Sequence, residues 1–227
     1  MSVTAGLLAV QQSIRDCEKK SGRKPGSVRL IAVSKQHGID QINEAIRCGQ
    51  LDFAENYVQE AIEKMSLLNN DSIVWHYIGR IQKNKISQIA RHFDWVHSLS
   101  DISHVSRLNE ARSATASLLN VCVQVNIDHD QNKSGMDPVD VGEMVQAIHK
   151  CAHLRYRGLM CITRASSDLS SSYHSYKKLA SVLSQQQALG VSGDELSMGM
   201  SSDYKVAIEA GATMVRVGTS IFGARSE

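Results

Sequence analysis

Proline is nearly absent from this chain. Pro25 and Pro138 are the only two in 227 residues, and no glycine- or serine-rich linker divides the sequence, so residues 1–227 are expected to form one domain. Cysteine is scarce as well, and its pattern is uninformative as a framework. Cys17, Cys48, Cys122, Cys151 and Cys161 form no CxxC pair, and five in a chain this long do not make a disulfide scaffold, so reduced thiols in a cytoplasmic protein are expected. Long apolar runs are missing. The first residues lack a basic start and turn polar after Val10, so neither a secretory signal nor a membrane span is expected. A charge excess is lacking too: 25 lysines and arginines face 23 acids, a formal +2, which gives no case for nucleic acid or an acidic membrane surface. The run Lys19, Lys20, Arg23, Lys24 reads as a solvated helix end and turn. No Gly-x-Ser-x-Gly elbow and no Gly-Lys-Ser/Thr loop occur, which argues against hydrolases and triphosphatases. His149 and His153 have the spacing of helical metal ligands but no third ligand nearby, so no metal is expected.

What is present is a repeat. At 42% hydrophobic the chain can fill a substantial core, and its apolar residues fall into short β-branched runs, each followed by a longer amphipathic segment. After a leading helix over 5–20 there are eight such runs: VRLIAVS (28–34), LDFAE (51–55), IVWHYIG (73–79), DWVHSL (94–99), NVCVQVNI (120–127), LRYRGLMCI (154–162), ELSMG (195–199) and TMVRVG (213–218). Strands alternating with helices in this way form parallel sheets. Eight evenly spaced units without Gly-x-Gly-x-x-Gly after the first strand predict a closed (β/α)8 TIM barrel over an open doubly wound sheet. The serine-rich stretch 166–172 reads as a mobile loop.

In such barrels the chemistry gathers where strands give way to the following helices. The first strand ends in Ser34-Lys35, and alternation puts Lys35 on the face of Ile31 and Val33 at the barrel mouth. A desolvated lysine there can act as a free amine toward an aldehyde, although on position alone a lysine reaching for solvent is the commoner case. The last two loops supply a second signal. Ser201 and Ser202 precede an apolar helix, and Gly218-Thr219 ends the final strand, an arrangement suited to an anion such as phosphate. Arg216 lies within the apolar run TMVRVG on the face of Met214 and Gly218, and an inward guanidinium needs an anionic or hydrogen-bonding partner. Asn56 and His76 are candidates for the same mouth, although a lone histidine on a strand is more often one hydrogen-bonded in the core.

Seven segments in order, LIAVSK (30–35), FAENYVQE (53–60), HYIGRIQKNK (76–85), VNIDHDQNKSG (126–135), RGLM (157–160), LSMGMSSD (196–203) and VRVGTSIFG (215–223), resemble the pyridoxal phosphate homeostasis proteins, which share the alanine racemase N-terminal domain barrel. The resemblance implies pyridoxal 5'-phosphate (PLP) held as a Schiff base on Lys35, with Ser201, Ser202, Gly218 and Thr219 on its phosphate. It brings Arg216 to the pyridine nitrogen or to the phosphate, with Asn56, His76, Met160, Met198 and Met200 as further pocket residues. It implies a cofactor carrier without established turnover, in transient contact with apo PLP enzymes, and a monomer is expected. Two departures from the family pattern, Ala54 in place of glycine and CITRASSD after the sixth strand, bear on the shape of the mouth. A PLP-dependent amino-acid racemase or lyase is the enzymatic alternative, for which Tyr57, Tyr77 and Tyr204 are candidate bases. A Schiff-base aldolase is a more distant one, since its lysine falls on a later strand.

Overall fold

Alternation within each short strand sets the architecture. In the computed structural model, which describes residues 2–112, 117–130, 133–163 and 168–224, eight parallel strands close into one barrel in the order β1 to β8. Helix α1 (Val3–Lys20) precedes β1 (Arg29–Val33), which is followed by α2 (Ile39–Arg47), β2 (Asp52–Glu55), α3 (Val58–Leu68) and β3 (Val74–Tyr77). A short 3-10 turn and α4 (Ile86–His92) lead to β4 (Trp95–Leu99), then α5 (Ser103–Ala111), β5 (Leu119–Gln124), α6 (Val141–His149) and β6 (Leu154–Met160). The chain continues through α7 (Leu169–Ala188), β7 (Glu195–Ser197), α8 (Tyr204–Ala210), β8 (Met214–Val217) and α9 (Thr219–Phe222). Closure is made by β8 on β1, where Arg29 lies opposite Met214 and Ile31 opposite Arg216. All eight predicted strands are present.

Two apolar layers result. Inward residues Ile31, Val33, Ala54, Trp95, Cys122, Met160 and Met214 fill the barrel, whereas Phe53, Val96, Val121, Val215 and Val217 point out into the shell under the helices. Helix α1 shows why a particular sequence becomes a particular packed face. Ser2 caps it by accepting from the Ala5 amide, and Val3, Leu7, Val10, Ile14 and Cys17, at helical spacing, are all buried. Each large apolar side chain so buried contributes about 1.5–3 kcal/mol. Gly6 lets this helix reach the chain end, since a Cβ there would stand 2.7 Å from the Ser220 carbonyl oxygen. Buried Glu18 ties down the turn before β1 by accepting from the amides of Gly26 and Val28.

Two readings need correction. Arg23 is a clamp, not a solvated charge: its guanidinium donates to the carbonyls of Ser27, Ile208 and Ala212, at a turn and a helix end. The stretch 166–172 is not one loop, because Asp168 caps α7 and Leu169 onward is helical, while residues 166 and 167 lie outside the described residues. Lys133 has its amine buried without a hydrogen-bond partner among the described residues. The five cysteines are free thiols. Among the described residues no helix is long and apolar enough to cross a membrane, and no group of three or more potential metal ligands occurs.

Candidate functional site

At the carboxyl end of the strands a cavity of about 540 Å³ opens beside β1 and β8. It is lined by Val33, Lys35, Asn56, Ile78, Met160, Ile162, Met200, Ser201, Ser202, Arg216, Gly218, Thr219 and Ser220. Nine of the eleven sequence-predicted site residues are thus brought together. Among the described residues none of the lining side chains is acidic and two are cations, so the cavity suits an anion.

Lys35 owes its place to a pinned turn. The strand ends at Val33, Gln36 takes a left-handed conformation with φ of 62°, and the Ser34 carbonyl accepts from the His37 amide at 3.1 Å and from the Lys64 amine at 2.7 Å. Lys64 is a buried lysine on α3 that also donates to Glu55 at 2.7 Å and Glu60 at 2.6 Å. Glu55 is fully buried, accepts from the Ser34 hydroxyl, and leaves its second oxygen without a hydrogen-bond partner among the described residues. Burial pushes its carboxyl up from the ordinary value, and Lys64 and Ser34 oppose that. The cluster holds Ser34, and so Lys35, from behind the strand.

The opposite wall is made by the last two loops. Gly199, at φ of 92°, sits where a Cβ would stand 2.5 Å from that of Ala207, so only glycine admits this turn against α8. Asp203 fixes the same turn by accepting from the Met200 amide at 2.7 Å and from the Tyr176 hydroxyl at 2.7 Å. The Ser201 hydroxyl accepts from the amides of Gly218 at 3.3 Å and Ser220 at 3.4 Å, which draws the two loops together. Hydroxyls of Ser201, Ser202, Thr219 and Ser220 therefore converge at one end of the cavity.

Arg216 points inward, as its alternation with Met214 and Gly218 requires, and is 3% exposed. Its guanidinium donates to the Ser197 hydroxyl at 2.7 Å and the Cys161 carbonyl at 2.9 Å, with no carboxylate in hydrogen-bond contact among the described residues. Burial lowers its pKa from the ordinary value.

His76 and Met198 are not at the cavity. His76 lies deeper in the barrel, bonded to His97 and Asp52, because inward alternation on β3 carries Ile78 and not His76 to the rim. Met198 is fully buried in the outer shell, one residue out of phase with inward Ser197. Val33, Ile78, Ile162 and Ser220 were missed. The first three stand two residues from Ile31 or Lys35, His76 and Met160, so alternation alone could have found them. None of Tyr57, Tyr77 and Tyr204 lines the cavity; Tyr77 points outward and donates to the Arg80 carbonyl.

Comparison with known proteins agrees with this geometry. Residues 7–226 match the family model described as alanine racemase, N-terminal domain. The chain is 42% identical over 228 residues to the pyridoxal phosphate homeostasis protein of Vibrio alginolyticus, covering 99% of this chain and 98% of that one. It is 40% identical over 224 residues to the protein of that name from Pseudomonas aeruginosa, with 99% and 96% covered. Among solved structures, PipY of Synechococcus elongatus PCC7942 with PLP bound superposes with a TM-score of 0.81 at 35% identity, covering 92% of this chain and 100% of that one. Alanine racemase from Corynebacterium glutamicum matches with a TM-score of 0.71 at 16% identity over 97% of this chain and 62% of that one, a likeness of fold alone. By sequence over nearly its whole length and by its barrel, this chain belongs to the pyridoxal phosphate homeostasis protein family.

Proposed function

We propose that the cavity binds PLP through the Lys35 amine and that the protein carries the cofactor without turning over a substrate. The observation that carries this reading is the pairing, in one cavity with no acidic side chain among the described residues, of a lysine at one wall with a cluster of hydroxyls at the other. PLP offers an aldehyde for an amine and a dianionic phosphate for hydroxyl and amide donors. The size also fits, since cofactor pockets commonly measure roughly 300–1,000 Å³. A further sign of fit is Asn56, whose Oδ1 is buried without a hydrogen-bond partner among the described residues although the side chain lines the cavity. An unpaired buried acceptor costs free energy that a ligand donor would recover.

In this reading Ser201, Ser202, Gly218 and Thr219 hold the phosphate, with Ser220 added to them. Arg216 stands toward the pyridine ring, where a fixed cation disfavours a protonated ring nitrogen and so weakens the cofactor as an electron sink. Met160, Met200, Ile78 and Ile162 supply apolar walls. Two-base racemisation takes a proton from one face of the substrate carbon and returns one to the other, so it needs positioned acid–base groups beside the cofactor. Among the described residues lining the cavity there is no carboxylate, imidazole, phenol or thiol and Lys35 is the one amine, which favours a carrier over a racemase or lyase. A cytoplasmic monomer that passes PLP to apoenzymes is the wider form of the proposal.

The test is spectral titration of the purified protein with PLP, then borohydride and peptide mass spectrometry, with Lys35→Ala alongside. A new absorbance band and a reduced adduct at Lys35 are expected, both missing from the variant. An adduct formed equally well in Lys35→Ala, or no band in wild type, overturns the assignment. Sustained conversion of an amino acid by the loaded protein would overturn the carrier role alone.

A further inference from the structure

Arg216 is the top of a hydrogen-bonded column that descends the inside of the barrel to its opposite end. Its Nη1 donates to Ser197 Oγ on β7 at 2.7 Å, Ser197 Oγ lies 2.8 Å from His97 Nδ1 on β4, and His97 Nε2 lies 2.9 Å from His76 Nδ1 on β3. His76 Nε2 lies 2.9 Å from Asp52 Oδ1 at the start of β2, and Asp52 pairs at 3.7 Å with Arg29 at the start of β1. Ser197, His76 and His97 are fully buried, and the His76 ring stacks on Trp95 at 5.6 Å.

Elementary donor and acceptor rules fix the direction of every bond. An ionised carboxylate only accepts, so His76 must carry its proton on Nε2; a neutral ring then accepts at Nδ1. His97 must therefore donate from Nε2 and accept at Nδ1, which leaves the Ser197 hydroxyl as donor to His97 and its oxygen as acceptor for Arg216. The order is one-way, from Arg216 through Ser197, His97 and His76 to Asp52. Burial lowers both imidazoles from their ordinary values, His97 well below, in keeping with the neutral rings this order needs. Hydrogen bonds aligned head to tail strengthen one another in a low-dielectric interior, so the Ser197 oxygen is a better acceptor than an isolated hydroxyl. Arg216 meets that oxygen and the Cys161 carbonyl, and the column links it to a terminal acceptor at the far end.

We propose that Asp52, His76, His97 and Ser197 are positioning residues for Arg216, so that a carboxylate at the opposite end of the barrel sets the orientation of the guanidinium at the cofactor cavity. This rests on the reading of the cavity as a PLP site. The column itself can be tested in the protein without ligand.

The experiment has two readouts. Two-bond proton–nitrogen correlation spectra of the ligand-free protein report imidazole tautomers, and both His76 and His97 are expected in the Nε2–H form. Asp52→Leu removes the terminal acceptor, so the column is free to reverse, and His97, which does not touch residue 52, is expected to switch to Nδ1–H. The PLP dissociation constant, from the spectral titration, is expected to rise roughly tenfold in Asp52→Leu, a loss on the scale of one hydrogen bond to a charged group. Asp52→Asn, which keeps an acceptor oxygen, should restore the tautomers and most of the affinity. Should Asp52→Leu fail to fold, Ser197→Ala cuts the column at its other end, with the same rise expected while His76 keeps its Nε2–H form. Unchanged His97 tautomer and PLP affinity in Asp52→Leu, or unchanged affinity in Ser197→Ala, overturns the proposal. Wild type that fails to bind PLP but shows the two Nε2–H rings refutes the cofactor reading, and with it Arg216's role at a PLP site, while leaving the direction of the column established.

Discussion

Replacing Lys64 by methionine should show how the turn bearing Lys35 is held. The amine is buried and donates to the Ser34 carbonyl, Glu55 and Glu60 at 2.6–2.7 Å. Methionine keeps the volume and removes the charge, leaving fully buried Glu55 with only the Ser34 hydroxyl. A carboxylate in that position escapes the penalty by taking up a proton. From an ordinary value near 4.3, neutralisation costs about 1.36 kcal/mol per pH unit, hence about 3.7 kcal/mol at pH 7 and about 1 kcal/mol at pH 5. This agrees with the roughly 3–5 kcal/mol lost when one partner of a buried ion pair is removed. The variant is therefore expected to lose about 3–4 kcal/mol at pH 7 and regain most of it at pH 5. Urea unfolding at the two pH values measures this directly, and the double variant Glu55→Gln/Lys64→Met should recover most of the loss at pH 7. A deficit below about 1 kcal/mol at pH 7, or one that does not change with pH, would refute the account.

Other consequences follow from the same structure. Gly79→Ala should destabilise by roughly 3 kcal/mol or more, since the new Cβ would stand 2.0 Å from the Asn56 carbonyl oxygen, and chemical denaturation will show it. Arg23→Ala should cost roughly 2–3 kcal/mol through its lost carbonyl bonds, whereas Lys19→Ala should stay within about 0.5 kcal/mol in the same assay. Because His76 and His97 titrate lower in the folded protein, the unfolded chain binds more protons below about pH 6.5, so stability should decline as pH falls from there toward their folded values. Melting temperatures from pH 8 to 5 test the sign, and His97→Gln should flatten the slope.

The sequence alone determined the strands, their number and much of the cavity. Eight β-branched runs at even spacing leave a closed barrel as the simplest solution, and barrel geometry puts strand ends at one mouth, so Lys35, Asn56, Ser201, Ser202, Arg216, Gly218 and Thr219 could be placed together by residue type and position. The same alternation would have moved His76 inward and Met198 outward had it been counted from the strand ends, where phase is hardest to read. What only the tertiary structure decided is which buried polar groups answer one another. Lys64 with Glu55 and Glu60, Arg23 with three carbonyls, and His97 with Ser197, 100 residues apart, leave no local pattern, because their partners come from different strands and helices. A polar residue in an apolar run announces only that a partner is required, and the closed fold alone determines which group supplies it.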